Sequence, residues 1–174
     1  MGIVIPINQS GIEYAEIGMS IMKVSTKGRY GLKAVVDIAY SLEKQPDKCV
    51  SVKSISERQG ISENYLEQII APLKKAGIVR SVRGAGGGYY LAKPAHDLTV
   101  GEVLRILEGP LAPVDCVVDG AAVCGDVDCD LCVMKPAWNT LFDRINELMD
   151  SITVAELARD FGKLWDEKYR PSQG

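Results

Sequence analysis

Four of the five cysteines, Cys116, Cys124, Cys129 and Cys132, fall within 17 residues in the spacing C-x7-C-x4-C-x2-C, and only Cys49 stands apart. Thiolates are soft ligands suited to iron-sulfur clusters or to zinc. In a reducing cytosol such crowding points to metal ahead of disulfides; unligated thiols or a regulatory disulfide are the competing readings. Cys49 itself reads as a small buried residue. The only histidine, His96, lies well ahead of the cysteines and reads as a surface or capping residue. A second chemical-looking run, Gly84-Ala85-Gly86-Gly87-Gly88, fails as a dinucleotide loop. G-x-G-x-x-G counted from Gly84 would need glycine where Tyr89 stands, and counted from Gly86 where Leu91 stands. The run also leads into a strand rather than a helix. Its glycines suit a hairpin tip that must approach another backbone closely, with Arg80 and Arg83 at its base.

The elements that must position these groups follow from periodicity. Ser25 or Thr26 caps a first helix with Leu32, Val35, Val36 and Ala39 at helical spacing, ended by Gln45-Pro46-Asp47. A short second helix spans 51–59, Gly60 makes a tight turn, and Ser62 caps a third helix carrying Leu66, Ile69, Ile70 and Leu73. Two short helices joined through a glycine turn form a helix-turn-helix signature. Pro72 predicts a kink or an early end to the third helix. Residues 78–83 and 89–92 are β-branched and aromatic runs on either side of the glycine tip, a β-hairpin that completes a winged helix. Thr99-Val100-Gly101-Glu102 and Thr153-Val154-Ala155-Glu156 read as capping boxes opening two further helices, the second with Leu157, Phe161 and Leu164 folding back on its own subunit or the partner's. Between them, Trp138, Leu141, Phe142, Ile145, Leu148, Met149 and Ile152 keep helical spacing for about four turns. Such a stripe would stay half exposed in a monomer, so pairing with a second copy is expected. The fold class is thus mainly α with a small β-hairpin: a winged helix-turn-helix plus a long dimerisation helix. Residues 1–21 read as a flexible extension, 22–98 as the DNA-binding domain, and 99–174 as the cysteine loop and dimerisation helices.

A chain of 174 residues, 47% hydrophobic and 25% charged, is neither disordered nor membrane-spanning by composition, and no signal peptide is evident, which predicts a cytoplasmic protein. The net charge of -3 hides an asymmetry. Residues 22–98 hold 13 Lys and Arg against 7 Asp and Glu, whereas 99–174 hold 7 against 14. A basic half beside an acidic half suggests that one end meets a polyanion. A redox enzyme or electron carrier would use a cluster but have no use for a basic winged helix.

Three stretches carry a family resemblance: Lys23-Val24-Ser25-Thr26-Lys27-Gly28-Arg29-Tyr30, Ile61-Ser62-Glu63-Asn64-Tyr65-Leu66-Glu67-Gln68, and Val82-Arg83-Gly84-Ala85-Gly86-Gly87-Gly88-Tyr89. Together they resemble the IscR, NsrR and CymR family of bacterial winged-helix regulators, over about residues 22–160. The resemblance implies a homodimeric transcription regulator, not an enzyme, that binds double-stranded DNA. Its IscR and NsrR branches hold an iron-sulfur cluster where this chain has its cysteines, here expected as 2Fe-2S ahead of 4Fe-4S. Such a regulator would sense cluster status and control cluster-assembly or iron and redox genes. The resemblance places Ser25, Thr26, Lys27 and Arg29 on the DNA backbone and Ser62, Asn64, Tyr65, Glu67 and Gln68 at the major groove. It also puts Arg83 in a minor groove beside Gly86 at the wing tip. Glu67 repels phosphates and finds a good donor only in cytosine N4, so it reads as a filter. Where relatives place a histidine ligand before Trp138 this chain has Lys135. By resemblance Cys132 matches the third family cysteine and Cys116 the first; either Cys124 or Cys129 is the middle one, the spare being available as fourth ligand. The alternative is a zinc-stapled or thiol-redox, CymR-like repressor.

Overall fold

The computed structural model describes residues 24–84, 86–118 and 132–169. The expected extension at 1–21, as well as Cys124 and Cys129, lies outside the described residues. Six helices and one hairpin follow in chain order: α1 (Thr26–Lys44), α2 (Val52–Gln59), α3 (Glu63–Lys75), β1 (Val79–Val82), β2 (Gly88–Leu91), α4 (Val100–Glu108), α5 (Lys135–Ser151) and α6 (Val154–Tyr169). Short 3-10 turns at Ala95–Asp97 and Asp115–Val117 precede and follow α4. The protein is mainly α with a two-stranded antiparallel sheet, as the sequence pattern requires.

α1, α4 and α6 start at the expected caps, and α2 starts at Ser51, a cap the sequence pattern did not single out. Ser25 accepts from the Gly28 amide, Ser51 from Ser54 and Thr99 from Glu102, so each satisfies a donor the first turn leaves orphaned. The Thr153 box closes in both directions, because Thr153 N–H donates to Glu156 Oε2 at 2.8 Å while Glu156 N–H donates to Thr153 Oγ1 at 3.2 Å. The Thr99 box is only half a box: the Glu102 carboxylate turns away to the Lys93 ammonium, which donates to both its oxygens. Gly60 ends α2 at φ 66, a left-handed conformation that a Cβ would disfavour. Pro72 does not end α3, which runs three residues further to Lys75. Proline removes one backbone donor, and the anchoring of Leu66, Ile69, Ile70 and Leu73 in the core outweighs that loss.

One buried cluster draws on both sides of Leu98. Val35, Ile38, Ile55, Leu66, Ile69 and Leu73 meet Val103 and Leu107 of α4 and Val154 and Ala158 of α6. The wing is fastened to the loop after α1 by a bridge, with Val50 N–H donating to the Tyr89 carbonyl at 3.0 Å and Tyr89 N–H to the Val50 carbonyl at 2.8 Å. The strands meet there only because residue 88 is glycine: a Cβ at Gly88 would stand 2.5 Å from the Val50 carbonyl oxygen.

α6 folds back on α1 of its own chain, where the Tyr40 and Phe161 rings meet edge to face at 5.2 Å and the Tyr40 hydroxyl and Lys44 donate to Asp166. Leu164 departs from its expected inward place and is 67% exposed. Instead the aromatic side chains Phe161, Trp165 and Tyr169 stack along α6, at 5.6 and 4.3 Å between successive centroids. α5 is joined to α4 through Arg105, which donates to Asn146 and Asp150, but none of its own residues is buried. Among the described residues no helix is long and apolar enough to cross a membrane.

Candidate nucleic-acid interface and cysteine site

Three elements converge on one polar, exposed face. The first turn of α1 touches α3 through Tyr30 and Tyr65, whose rings stand edge to face at 6.0 Å. The far end of α3 reaches the wing, where Lys74 donates to the Ser81 hydroxyl at 3.2 Å. Between these joints α3 presents Ser62, Asn64, Glu67 and Gln68, all exposed, with Tyr65 half-buried. Ser62 occupies the cap position of α3 but its hydroxyl makes no capping bond, which leaves it available to an outside partner. Glu67 forms no hydrogen bond or ion pair with the described residues. Its charge is nevertheless felt by Tyr89, whose hydroxyl is pushed above its ordinary value first by burial and then by that carboxylate. α3 and the wing therefore share an electrostatic neighbourhood.

On the wing, Arg83 and Gly86 are exposed, and Gly84 and Gly86 take φ of 110 and 85, backbone that glycine alone adopts without strain. Cys49 departs from its expected burial. It is half-buried, and its thiol donates to the Gly86 carbonyl at 2.8 Å, tying the wing tip to the loop after α1. At the start of α1, Thr26 and Arg29 are exposed and joined to each other at 3.3 Å. Ser25 and Lys27 are also exposed but turn toward the end of α4. The Ser25 hydroxyl meets Glu108 at 2.5 Å, and the Lys27 ammonium donates to the Leu107 carbonyl at 3.0 Å. The structure thus brings the sequence-derived DNA residues onto one face, with α1, α3 and the wing as its three parts.

Two of the four clustered cysteines are described. Cys116 lies on the 3-10 turn Asp115–Val117, which packs against α5, and Cys132 lies just before α5, its carbonyl accepting from the Lys135 amide at 3.1 Å. Both are half-buried free thiols. Thiols are the right chemistry for a soft metal or a cluster, and the turn that carries Cys116 packs against the helix that follows Cys132, but among the described residues no group of three or more metal-ligating side chains is assembled. His96 sits in an exposed turn after the wing.

Sequence reasoning missed two features. Asp37 is fully buried on α1 and held by Arg58, whose guanidinium donates to both its oxygens, with Gln59 adding a bond at 2.9 Å. The hydrogen bond to Asp37 holds the Arg58 proton more firmly than usual against the opposing effect of burial. Glu108 is the second. A carboxylate in an otherwise apolar helix face was the only available sign of the first, and the second is joined to Ser25 across 83 residues of chain.

Comparison with known proteins agrees with this arrangement. A family model, Rrf2, described as an iron-dependent transcriptional regulator, matches residues 24–160. The chain is 39% identical over 137 residues to the HTH-type transcriptional regulator CymR of Bacillus subtilis, covering 79% of this chain and 90% of that one. It is 43% identical over 142 residues to IscR of Vibrio atlanticus, covering 80% and 76%. Among solved structures, CymR, the global cysteine regulator of B. subtilis, superposes with a TM-score of 0.65 at 38% identity, covering 80% of this chain and 98% of that one. IscR of T. potens does so with a TM-score of 0.62 at 43% identity, covering 87% and 93%.

Proposed function

This chain belongs to the Rrf2 family of transcriptional regulators, and on that premise we propose that it senses iron-sulfur cluster status through Cys116, Cys124, Cys129 and Cys132. It does so as a cytoplasmic homodimer that binds an operator and controls cluster-assembly or iron and redox genes. The observation that carries the reading is the pairing of two sites in one chain. A basic face made of the α1 start, α3 and the wing is joined through α4 to a segment rich in thiols. Phosphate contacts from Thr26, Arg29 and the α1 terminus set register, and Ser62, Asn64, Tyr65 and Gln68 read base edges, because positioning and reading are separate tasks. Arg83 enters the minor groove, where narrow A-T tracts concentrate negative potential. When bound, a cluster supplies a group whose presence reports on iron and redox supply; the thiolates hold it, with a fourth thiolate standing in for the histidine replaced by Lys135. The 2Fe-2S form is expected ahead of 4Fe-4S.

A second reading, thiol sensing, has its own support in Cys49, whose Sγ is tied to the wing tip at Gly86. A solved relative, Staphylococcus aureus CymR, 37% identical, is described in an oxidised form. One experiment separates the readings. Protein purified without oxygen is examined by visible absorption, and then Cys116→Ala and Cys132→Ala are compared with it. A brown protein that both substitutions bleach supports cluster sensing. A colourless, zinc-containing protein or a colourless metal-free one overturns it and leaves the zinc-stapled or the thiol reading respectively.

A further inference from the structure

At the start of α1, the groups best suited to hold an anion are already engaged by one. The Ser25 hydroxyl meets Glu108 Oε1 at 2.5 Å, the Ser25 N–H points at Oε2 at 3.4 Å, and the Lys27 ammonium donates to the Leu107 carbonyl at 3.0 Å. The positive end of the helix dipole lies there, and α1 has no acidic residue of its own in its first turn. Nor is the contact a surface accident. Gly28, buried in that turn, faces Glu108 so closely that a Cβ would collide with its carboxylate. The edge-to-face pair of Tyr30 and Tyr65 fixes this terminus beside α3, so it belongs to the face that meets DNA.

We propose that Glu108, with the Leu107 carbonyl, is an intramolecular stand-in for a DNA phosphate: it occupies the α1 terminus in the free protein and must be displaced when DNA binds. A phosphate and this carboxylate cannot share Ser25, because two anions at hydrogen-bond distance from one donor repel each other. Releasing Lys27 and Ser25 therefore lowers the affinity of the free protein for any duplex. Glu108 ends α4, and the chain turns at Gly109, with φ of 88, toward Cys116. The latch thus stands between the DNA face and the cysteine segment, where a shift in α4 would open or close it.

This inference rests on the DNA-binding reading. It is tested on the full chain, without metal, against a duplex of mixed sequence across a salt series. Glu108→Gln removes the charge and keeps the shape. It is expected to bind on the order of tenfold more tightly at every salt concentration with the log-log slope unchanged, because both proteins make the same phosphate contacts once bound and only the cost of displacing the carboxylate is removed. Glu43→Gln, the same charge change at the far end of α1, is expected to leave the affinity near that of the wild type. In the wild-type protein, adding duplex is expected to move the carboxyl carbon resonance of Glu108 as it leaves Ser25, a readout that needs no variant to fold. If Glu108→Gln binds like the wild type, or its gain is matched by Glu43→Gln, or the Glu108 resonance stays still on a bound duplex, Glu108 is a structural clamp and the inference fails alone. If neither protein binds any duplex, the DNA-binding reading fails and takes the inference with it.

Discussion

The most consequential single side chain in the core is Asp37, because it is the one buried charge among the described residues. Its solvation is replaced by Arg58, Gln59 and no water-facing edge, so the two ends of the pair are not equivalent. Arg58 retains 23% exposure of its side chain, whereas Asp37 has none. Removing Arg58 strands a carboxylate in the core, while removing Asp37 leaves a guanidinium that can still reach solvent. Arg58→Ala is therefore expected to cost about 3 to 4 kcal/mol and Asp37→Ala about 1 kcal/mol less, read as a difference in denaturant midpoints at equal slope. On the outer surface the logic reverses, since Glu67 is exposed and contributes nothing to the core. Its charge matters only to what approaches α3. Glu67→Ala is expected to leave the melting temperature within about 2 °C and to relax discrimination at the base pair facing it by about 1 to 3 kcal/mol. Competition binding with operators differing at each position would show it, and unchanged discrimination would mean that Glu67 is merely solvated.

At the level of elements, the wing depends on close backbone approach as well as on side-chain packing. Its four-residue strands carry little buried surface, with only Val79 buried in β1. Its attachments to the body include the Val50–Tyr89 bridge, the Cys49 thiol on Gly86 and the Lys74 ammonium on Ser81, with Tyr89 and Leu91 packed on the core. Gly88→Ala would drive a methyl into the Val50 carbonyl and break that bridge while sparing α3. The expected result is a DNA affinity lower by about tenfold, with the recognition helix still protected from hydrogen exchange and the wing amides exchanging faster. Such elements were largely legible in the sequence, because each helix announces itself by a cap and a spacing that the chain then obeys. Ser25, Thr99 and Thr153 are read correctly for that reason. What the sequence could not show are decisions taken by neighbours distant in the chain. Glu102 abandons its box for Lys93, α3 outlasts Pro72 because its apolar face is anchored, and Leu164 yields its inward place to the aromatic side chains stacked along α6. On the site, residue types, spacing and the family resemblance single out the candidate DNA residues and the thiols. That Ser25 and Lys27 are already occupied by α4 required the fold.

Across the whole molecule, one face has no partner among the described residues. α5 is 17 residues long and none of them is buried, although its stripe of Trp138, Leu141, Phe142, Ile145, Leu148 and Met149 is apolar throughout. Leu141 is 42% exposed and Leu148 61%, and both lie on the stripe. An amphipathic helix draws most of its stability from burying its apolar side, and among the described residues α5 meets α4 and the Asp115–Val117 turn without burying any residue of its own, so its apolar side lacks cover in a monomer of these residues. A second copy related by a twofold axis would cover α5 with α5, and would set two α3 helices on one side of a duplex, as a palindromic operator needs. Replacing Leu148 with Glu places a charge in that interface and is nearly neutral in a monomer, where the residue is already exposed. Sedimentation of the wild-type chain is expected to give twice the monomer mass, and that of Leu148→Glu the monomer mass. Operator affinity should fall by at least about a hundredfold in the variant, because each half-site then binds without the advantage of linkage. Affinity for a single half-site should remain. A wild-type chain that sediments as a monomer, or a monomeric variant that still holds the full operator at wild-type affinity, would remove the dimer from the account and leave the α5 stripe to some other partner.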